Sequence, residues 1–258
     1  MSQYRWNRES LLSLRGGLCR PRFRWKDADE IYIGAGGYVI RGTVNKYVFW
    51  ESELTFQLGS GGSNSSSDDV AEGWMYIFID DSSFSKDIVE LGVENFRSET
   101  TAPTWDAAKQ GWYTGGDRCI FATLADSNPN ILEFNHDGGE CVQHAAGISE
   151  ASAFDVDTVW LDVDCKTSVP GFSTKAAVHF QTDANGDTSA AISYWRTNSQ
   201  TDTTGHRVGW VDSGVQELAF STTEIITDGA QIFEVKMSSS GTYRITILTD
   251  GWYFPQGM

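Results

Sequence analysis

His136, Asp137, Cys141 and His144 fall within nine residues, and imidazole, carboxylate and thiolate are the groups from which zinc sites are built. Their His-x4-Cys-x2-His spacing matches no standard zinc pattern, and Gly138-Gly139 between them reads as the tip of a polar loop. Asp183, Asn185 and Asp187 imitate the first half of a calcium loop, but the twelfth position, where a bidentate Glu belongs, is Tyr194. Carboxylates recur as neighbours at Glu51 and Glu53, Asp80 and Asp81, and Asp155 and Asp157. A glycosidase needs two of them about 5–10 Å apart across a sugar cleft, and no pair is singled out. A nucleophile elbow, a phosphate-cradling glycine loop ending in Lys, and a His-Glu-x-x-His helix are all missing. The expectation is therefore a non-enzymatic chain with no catalytic residue, no metal and no cofactor. Aromatics offer a different chemistry. Trp105, Trp112, Tyr113, Trp195, Trp210, Trp252 and Tyr253 lie among Asp and Asn, as sugar-stacking platforms do. Trp112, Tyr113, Trp195 and Trp210 are taken as candidate glycan-binding residues, with core or interface packing as the competing role.

Charge is divided unevenly along the chain. Residues 1–26 hold seven cations (Arg5, Arg8, Arg15, Arg20, Arg22, Arg24, Lys26) against Glu9 alone, whereas the rest holds 12 Lys/Arg against 34 Asp/Glu. A basic arm on an acidic body suits tethering: the arm seeks an anionic partner while the body stays soluble and repels its own copies. The expected partner-binding residues are Arg5, Trp6, Arg8, Arg20, Arg22, Phe23, Arg24, Trp25 and Lys26, the cations docking on an acidic protein surface and the aromatics anchoring it. In an extended segment, Arg20, Arg22 and Arg24 project to one side and Phe23 and Trp25 to the other. An unstructured leader competes with this reading. Nucleic acid ranks last among the partners, because the acidic body opposes the phosphate attraction of the arm.

The elements that must position these residues read as strands. Short β-rich runs at Ile31–Ile33, Gly37–Ile40, Tyr47–Leu58, Trp74–Asp80, Ile88–Val93 and Arg118–Leu124 are separated by Gly, Asn, Asp and Ser clusters. Gly59–Asp69, GSGGSNSSSDD, reads as a flexible low-complexity loop. Further on, Ala176–Thr182 and Ser189–Trp195 flank Asn185-Gly186, which predicts a hairpin closed by a type I′ turn. Strands follow at Val208–Val211, Gln216–Phe220, Gln231–Met237 and Tyr243–Leu248. The expected architecture is all-β: a basic N-terminal arm (1–28) and two antiparallel, jelly-roll-like β-sandwich domains (29–147 and 148–258). Four Gly-Trp dipeptides, at Gly73, Gly111, Gly209 and Gly251, are unevenly spaced, so a glycine entering a strand ahead of a buried aromatic is expected rather than a repeat. The longest apolar run, Trp74–Ile79, is far short of a membrane span, and MSQYRWNRES lacks the apolar core of a secretory signal. Cytoplasmic synthesis without membrane insertion is expected, with Cys19, Cys119, Cys141 and Cys165 reduced.

Gly73-Trp74-Met75-Tyr76-Ile77-Phe78-Ile79-Asp80, then Pro103, then Gly111-Trp112-Tyr113-Thr114-Gly115-Gly116-Asp117-Arg118-Cys119-Ile120 resembles a pattern in tailed-phage virion proteins of the tail-fibre, head-fibre and capsid-decoration kind. Their motif is an aromatic-x-x-x-Ile-Asp strand followed by a Pro, Gly-Tyr and Arg-Ile-Gly element. The chain departs from it with Trp112 for the usual Tyr and Phe121 for a small residue. Gln231–Lys236, Tyr243–Leu248 and Gly251-Trp252-Tyr253 resemble the closing strands of such proteins. The resemblance implies a β fold exposed on a virion, made in the host cytoplasm and docked on capsid, portal or tail subunits. It also implies a homo-oligomer, with a trimer expected, and contact with the host surface, where a glycan is a candidate ligand. The competing reading is a lectin-like carbohydrate-binding module.

Overall fold

Residues 20–82, 84–187, 189–212 and 218–258 are described by the computed structural model. Strand follows strand throughout, and the one helical element among the described residues is a single 3₁₀ turn at Val93–Asn95. The fold is all-β with several antiparallel sheets. Two compact units are present: one contains residues 20–139 together with Gln256–Met258, the other Glu140–Pro255.

Unit 1 is built from β1 (Phe23–Trp25), β2 (Glu30–Ile33), β3 (Gly36–Ile40), β4 (Lys46–Trp50), β5 (Leu54–Gln57), β6 (Gly73–Ile79), β7 (Ile88–Glu90), β8 (Phe96–Glu99), β9 (Thr104–Asp106), β10 (Gly111–Thr114), β11 (Asp117–Ala125) and β12 (Phe134–Asn135). Its largest sheet has the order β8-β6-β11-β10-β9, and two three-stranded sheets, β1-β2-β5 and β3-β4-β7, accompany it. All these pairings are antiparallel except β4 with β7. β6 and β11 are apolar on both faces, with Met75–Ile79 and Cys119–Ala122 fully buried, as continuous hydrophobic runs require. Aromatic rings join the sheets: Phe23 stacks on Phe121 at 4.1 Å, and Trp50 meets Phe96 edge-on at 5.1 Å. Each such pair adds about 0.5–1.5 kcal/mol to the gain from burial of its rings.

Phe23 is therefore core, and the segment expected to be a separate arm joins unit 1 from residue 20 onward. The ladder from β1 to β2 pairs Phe23 with Ile33 and Trp25 with Ile31. The burial alternation of an extended segment is present, but its apolar side is filled from within. Gly59–Asp69 also differs from the expected flexible loop. Both the Ser60 amide and its hydroxyl donate to Asp69, Asn64 Nδ2 donates to the Glu94 carbonyl at 2.7 Å, and the Ser98 amide donates to Ser67 Oγ. Short polar side chains serve there as surrogate backbone partners, and Ser67 is buried.

Unit 2 contains β13 (Cys141–Asp155), β14 (Leu161–Asp164), β15 (Lys175–Asp183), β16 (Ala191–Thr197), β17 (His206–Val211), β18 (Leu218–Ile226), β19 (Ile232–Met237) and β20 (Arg244–Tyr253). One sheet runs β13-β20-β15-β18 and the other β14-β19-β16-β17. Their apolar faces meet in a sandwich-like core. Phe180 of β15 touches Phe233 of β19 edge-on at 6.0 Å, and the hydroxyls of Thr182 and Ser193 are hydrogen-bonded at 2.9 Å.

The expected hairpin is not formed. Asn185 and Gly186 do take positive φ (47° and 82°), and the Asp187 amide closes the turn onto the Ala184 carbonyl. β15, however, pairs with β18 and β20, while β16 pairs with β17 and β19. The turn carries the chain from one sheet to the other. Local φ preference selects the turn, and burial of both apolar faces selects the strand partners. The boundary expected between residues 147 and 148 falls inside β13, and the units divide after Gly139. Ala145-Ala146-Gly147 and Ala151-Ser152-Ala153 are poor strand formers, and the ladder from β13 to β20 shifts register at both stretches, with Ala153 at φ 48°.

Candidate functional site

The strands that carry the likeness to virion proteins are neighbours in one sheet. β6 pairs with β11 from Ile79 opposite Arg118 to Gly73 opposite Ala125, and β10 pairs with β11 at Tyr113 opposite Arg118. Arg118 is only 3% exposed. Its guanidinium donates to the Val39 carbonyl at 2.8 Å, the Gly257 carbonyl at 2.7 Å and the Tyr113 hydroxyl at 3.3 Å, and it lies 5.3 Å from the Tyr38 ring centroid. One buried cation thus fastens β3, β10 and the 256–258 tail together. The planar five-donor fork of Arg suits such divergent acceptors in a way a Lys ammonium does not. The tail is held twice more: Trp112 Nε1 donates to the Gln256 carbonyl, and Arg20 donates to the Met258 carbonyl.

The expected partner-binding residues are engaged within unit 1. Arg20 also donates to the Gly139 carbonyl, and Arg22 Nε to that of His136. Arg24 forms a two-pronged ion pair with Glu53 and stacks over Tyr32 at 4.6 Å, while Lys26 pairs with Glu30. Trp25 Nε1 donates to the Ile131 carbonyl at 3.0 Å. Phe23, at 0% exposure, is unavailable as a docking anchor. Arg5, Trp6 and Arg8 lie outside the described residues.

The four candidate glycan residues divide between the two units. Trp112 and Tyr113 are in unit 1, Trp195 and Trp210 in unit 2. Tyr113 is buried under Lys109, and Trp195 is buried with His206 stacked on it at 4.7 Å. Trp112 is half-buried and packs edge-on against Trp105 at 5.7 Å, and Trp105 is 42% exposed. Trp210 is exposed on β17 opposite Ile192. Of the four Gly-Trp pairs, Trp252 alone is fully buried. A Cβ on Gly251 would lie 2.3 Å from the Val142 carbonyl oxygen, so this glycine is needed for close approach of β20 to β13. Sequence reading missed Trp160, half-buried between Arg196 at 4.3 Å and Lys236 at 4.5 Å. An isolated Trp outside any strand gives no periodic signal.

The polar clusters resolve into structural roles. His136 Nδ1 accepts from the Phe23 amide at 3.0 Å and Nε2 meets the Gly139 carbonyl at 3.1 Å, so both nitrogens hold backbone. Burial keeps its pKa below the usual histidine value. His144 Nε2 meets the Ser168 carbonyl, and burial again lowers its pKa. Asp183 caps the Asn185 amide, and Asp187 takes the Ser189 and Thr242 amides, which lower its pKa. Among the described residues, one acidic group has metal-like proximity: Asp27, Asp29 and Glu30. Asp27 Oδ1 already accepts the Asp29 and Glu30 amides, and Gln57 donates to Asp29.

A second cluster was not foreseen. Glu150 accepts from Ser168 Oγ and from Thr167, beside Thr249 and Cys165. Desolvation raises the carboxyl pKa of Glu150 despite those hydrogen bonds, and it raises the Cys165 thiol further still. His144 touches the carbonyl of Ser168, not its hydroxyl, and Ser168 is fully buried. The Ser168 hydroxyl lies against the Glu150 carboxyl and, at 3.2 Å, the Cys165 carbonyl, and this geometry makes a buried polar network.

No protein-family model matches the chain, and the curated proteins contain no significant match to it. The geometry offers contact surfaces.

Proposed function

We propose that the chain is a structural protein of a tailed-phage virion, exposed on the particle as a tail fibre, head fibre or capsid decoration. It acts by assembly with other virion proteins, as a homo-oligomer, and by contact with the host surface. The reading rests on the strands whose residues resemble those proteins. They lie side by side as β6, β10 and β11, and Arg118 fastens them to β3 and the tail. That arrangement holds shape and leaves loops and edges to make contacts. Because Arg20, Arg22, Arg24 and Lys26 are committed inside unit 1, the anchoring role passes to residues 1–19, with Arg5, Trp6, Arg8 and Arg15. The test is mass spectrometry of gradient-purified particles from a phage encoding the chain. The chain should be present in intact particles and absent when residues 2–19 are deleted. A chain found only in the soluble lysate would overturn the proposal.

A second reading, binding of a host glycan, is supported by the Trp105–Trp112 pair. Titration with host-surface polysaccharide should give a saturable change in Trp fluorescence that Trp105→Ala abolishes. An identical response from that variant would remove this site from consideration.

A further inference from the structure

β18 is the edge strand of its sheet, paired on one side with β15. Nine residues long, it carries three large exposed apolar side chains: Phe220 (60% exposed), Ile226 (56%) and Leu218 (49%). Its backbone polarity follows from register. The Thr227 amide donates to the Thr174 carbonyl directly opposite, so odd-numbered residues of β18 direct N–H and C=O toward β15. Leu218, Phe220, Thr222, Glu224 and Ile226 direct theirs to the open edge, and the Ile226 carbonyl accordingly accepts from Thr197 Oγ1 at 2.7 Å. Natural edge strands are usually guarded by Lys, Pro or a bulge. This one has none: its register to β15 is unbroken, and its single charge, Glu224, is neutralised by Lys175 at 2.5 Å and bonded by Tyr253 at 2.6 Å. In a unit with fifteen Asp and Glu against six Lys and Arg, it forms a charge-neutral strip along which copies can approach.

We infer that β18 is the contact between two copies of this chain, paired antiparallel about a two-fold axis at Thr222. That register uses all nine residues and is self-complementary. It sets Leu218 opposite Ile226 of the other copy, Phe220 opposite the stem of Glu224, and Thr222 opposite itself. Every outward-directed backbone group then faces a partner, the Ile226 carbonyl sharing its second lone pair with Thr197 Oγ1, and the two sheets join into one. An isologous contact of this kind closes at two copies. It stands apart from the virion proposal, because it is read from mass and cross-linking rather than from incorporation into particles.

The full chain should show twice its 28.5 kDa mass by light scattering behind a sizing column. Phe220→Lys and Thr222→Pro should both return it to the single-chain mass with unchanged circular dichroism. The Thr222 amide points away from β15, so proline removes an edge donor and the side-chain contact of Thr222 with His179 but no backbone bond to β15. Thr222→Cys should cross-link under mild oxidation above the wild-type level, since facing Cα atoms lie about 5.5 Å apart, within disulfide reach. Gln181→Cys lies one strand further in and opposite Phe220, so it is displaced both across and along the strands, about 20 Å from its mate, and should not. A monomer at every concentration, a trimer, or a dimer indifferent to both edge variants and giving no cross-link with Thr222→Cys would overturn the inference. If either edge variant misfolds, the cross-linking pair still decides.

Discussion

Arg118 shows how one side chain fixes the geometry around it. Arg118→Met keeps the stem and removes the donors, leaving the part-buried carbonyls of Val39 and Gly257 without that partner. The cost should be about 2–3 kcal/mol, seen as an earlier urea midpoint for unit 1. Glu150 belongs to the same scale but works through pH. Its folded pKa is raised, chiefly by desolvation, so its contribution is full below the unfolded carboxylate value and fades as pH climbs through the raised folded value. Asp187 and Asp228, with lowered folded values, act oppositely, their contribution fading in acid. Comparing Glu150→Gln with the wild type isolates one group. The variant should gain stability relative to the wild type as pH rises from about 4 to 8, by urea unfolding; a difference flat with pH would refute it. Neither residue was legible beforehand as central. Arg118 stood in the quoted motif without a role, and Glu150 lies in a stretch whose Ala, Ser and Gly gave no strand signal. Burial depends on which distant segments fold over a residue, and one sequence does not state that.

Strands were more legible than their partners. The runs expected at Trp74–Asp80, Arg118–Leu124, Gln231–Met237 and Tyr243–Leu248 coincide with β6, β11, β19 and the first half of β20, because dense apolar and β-branched residues declare a strand wherever it pairs. The 183–187 turn was legible in conformation, through Asn185-Gly186, but the strands flanking it lie in two sheets, not the one that a hairpin requires. Nothing in an alternating pattern says which sheet its apolar face meets. β13 was cut in half by the expected boundary for want of propensity. Its dependence on β20 makes a prediction: Gly251→Ala thrusts a methyl against the Val142 carbonyl and the Gln143 Cα, both backbone. Separation of β13 from β20 should cost about 1–3 kcal/mol, with hydrogen exchange quickening along Cys141–Asp155 first.

For the molecule as a whole, the division into two units means that unit 1 is completed by residues beyond unit 2 in the sequence. Met258 is buried, and Gln256, Gly257 and Met258 each offer a carbonyl to a side chain of unit 1. Deleting residues 256–258 should therefore lower the melting of unit 1 while unit 2 keeps its transition, as hydrogen exchange read by segment would show. The candidate site was less legible than the fold at this scale. The charge split was plain in the sequence, yet four of the arm's seven cations serve unit 1. The tail clamp also sets an order of events on the ribosome. Residues 140–255 are synthesised before 256–258, so unit 1 waits through the whole synthesis of unit 2 for its last carbonyls. Until those emerge, Arg118 is a buried cation short of one partner, and nascent unit 1 is most exposed to chaperones and proteases in that interval.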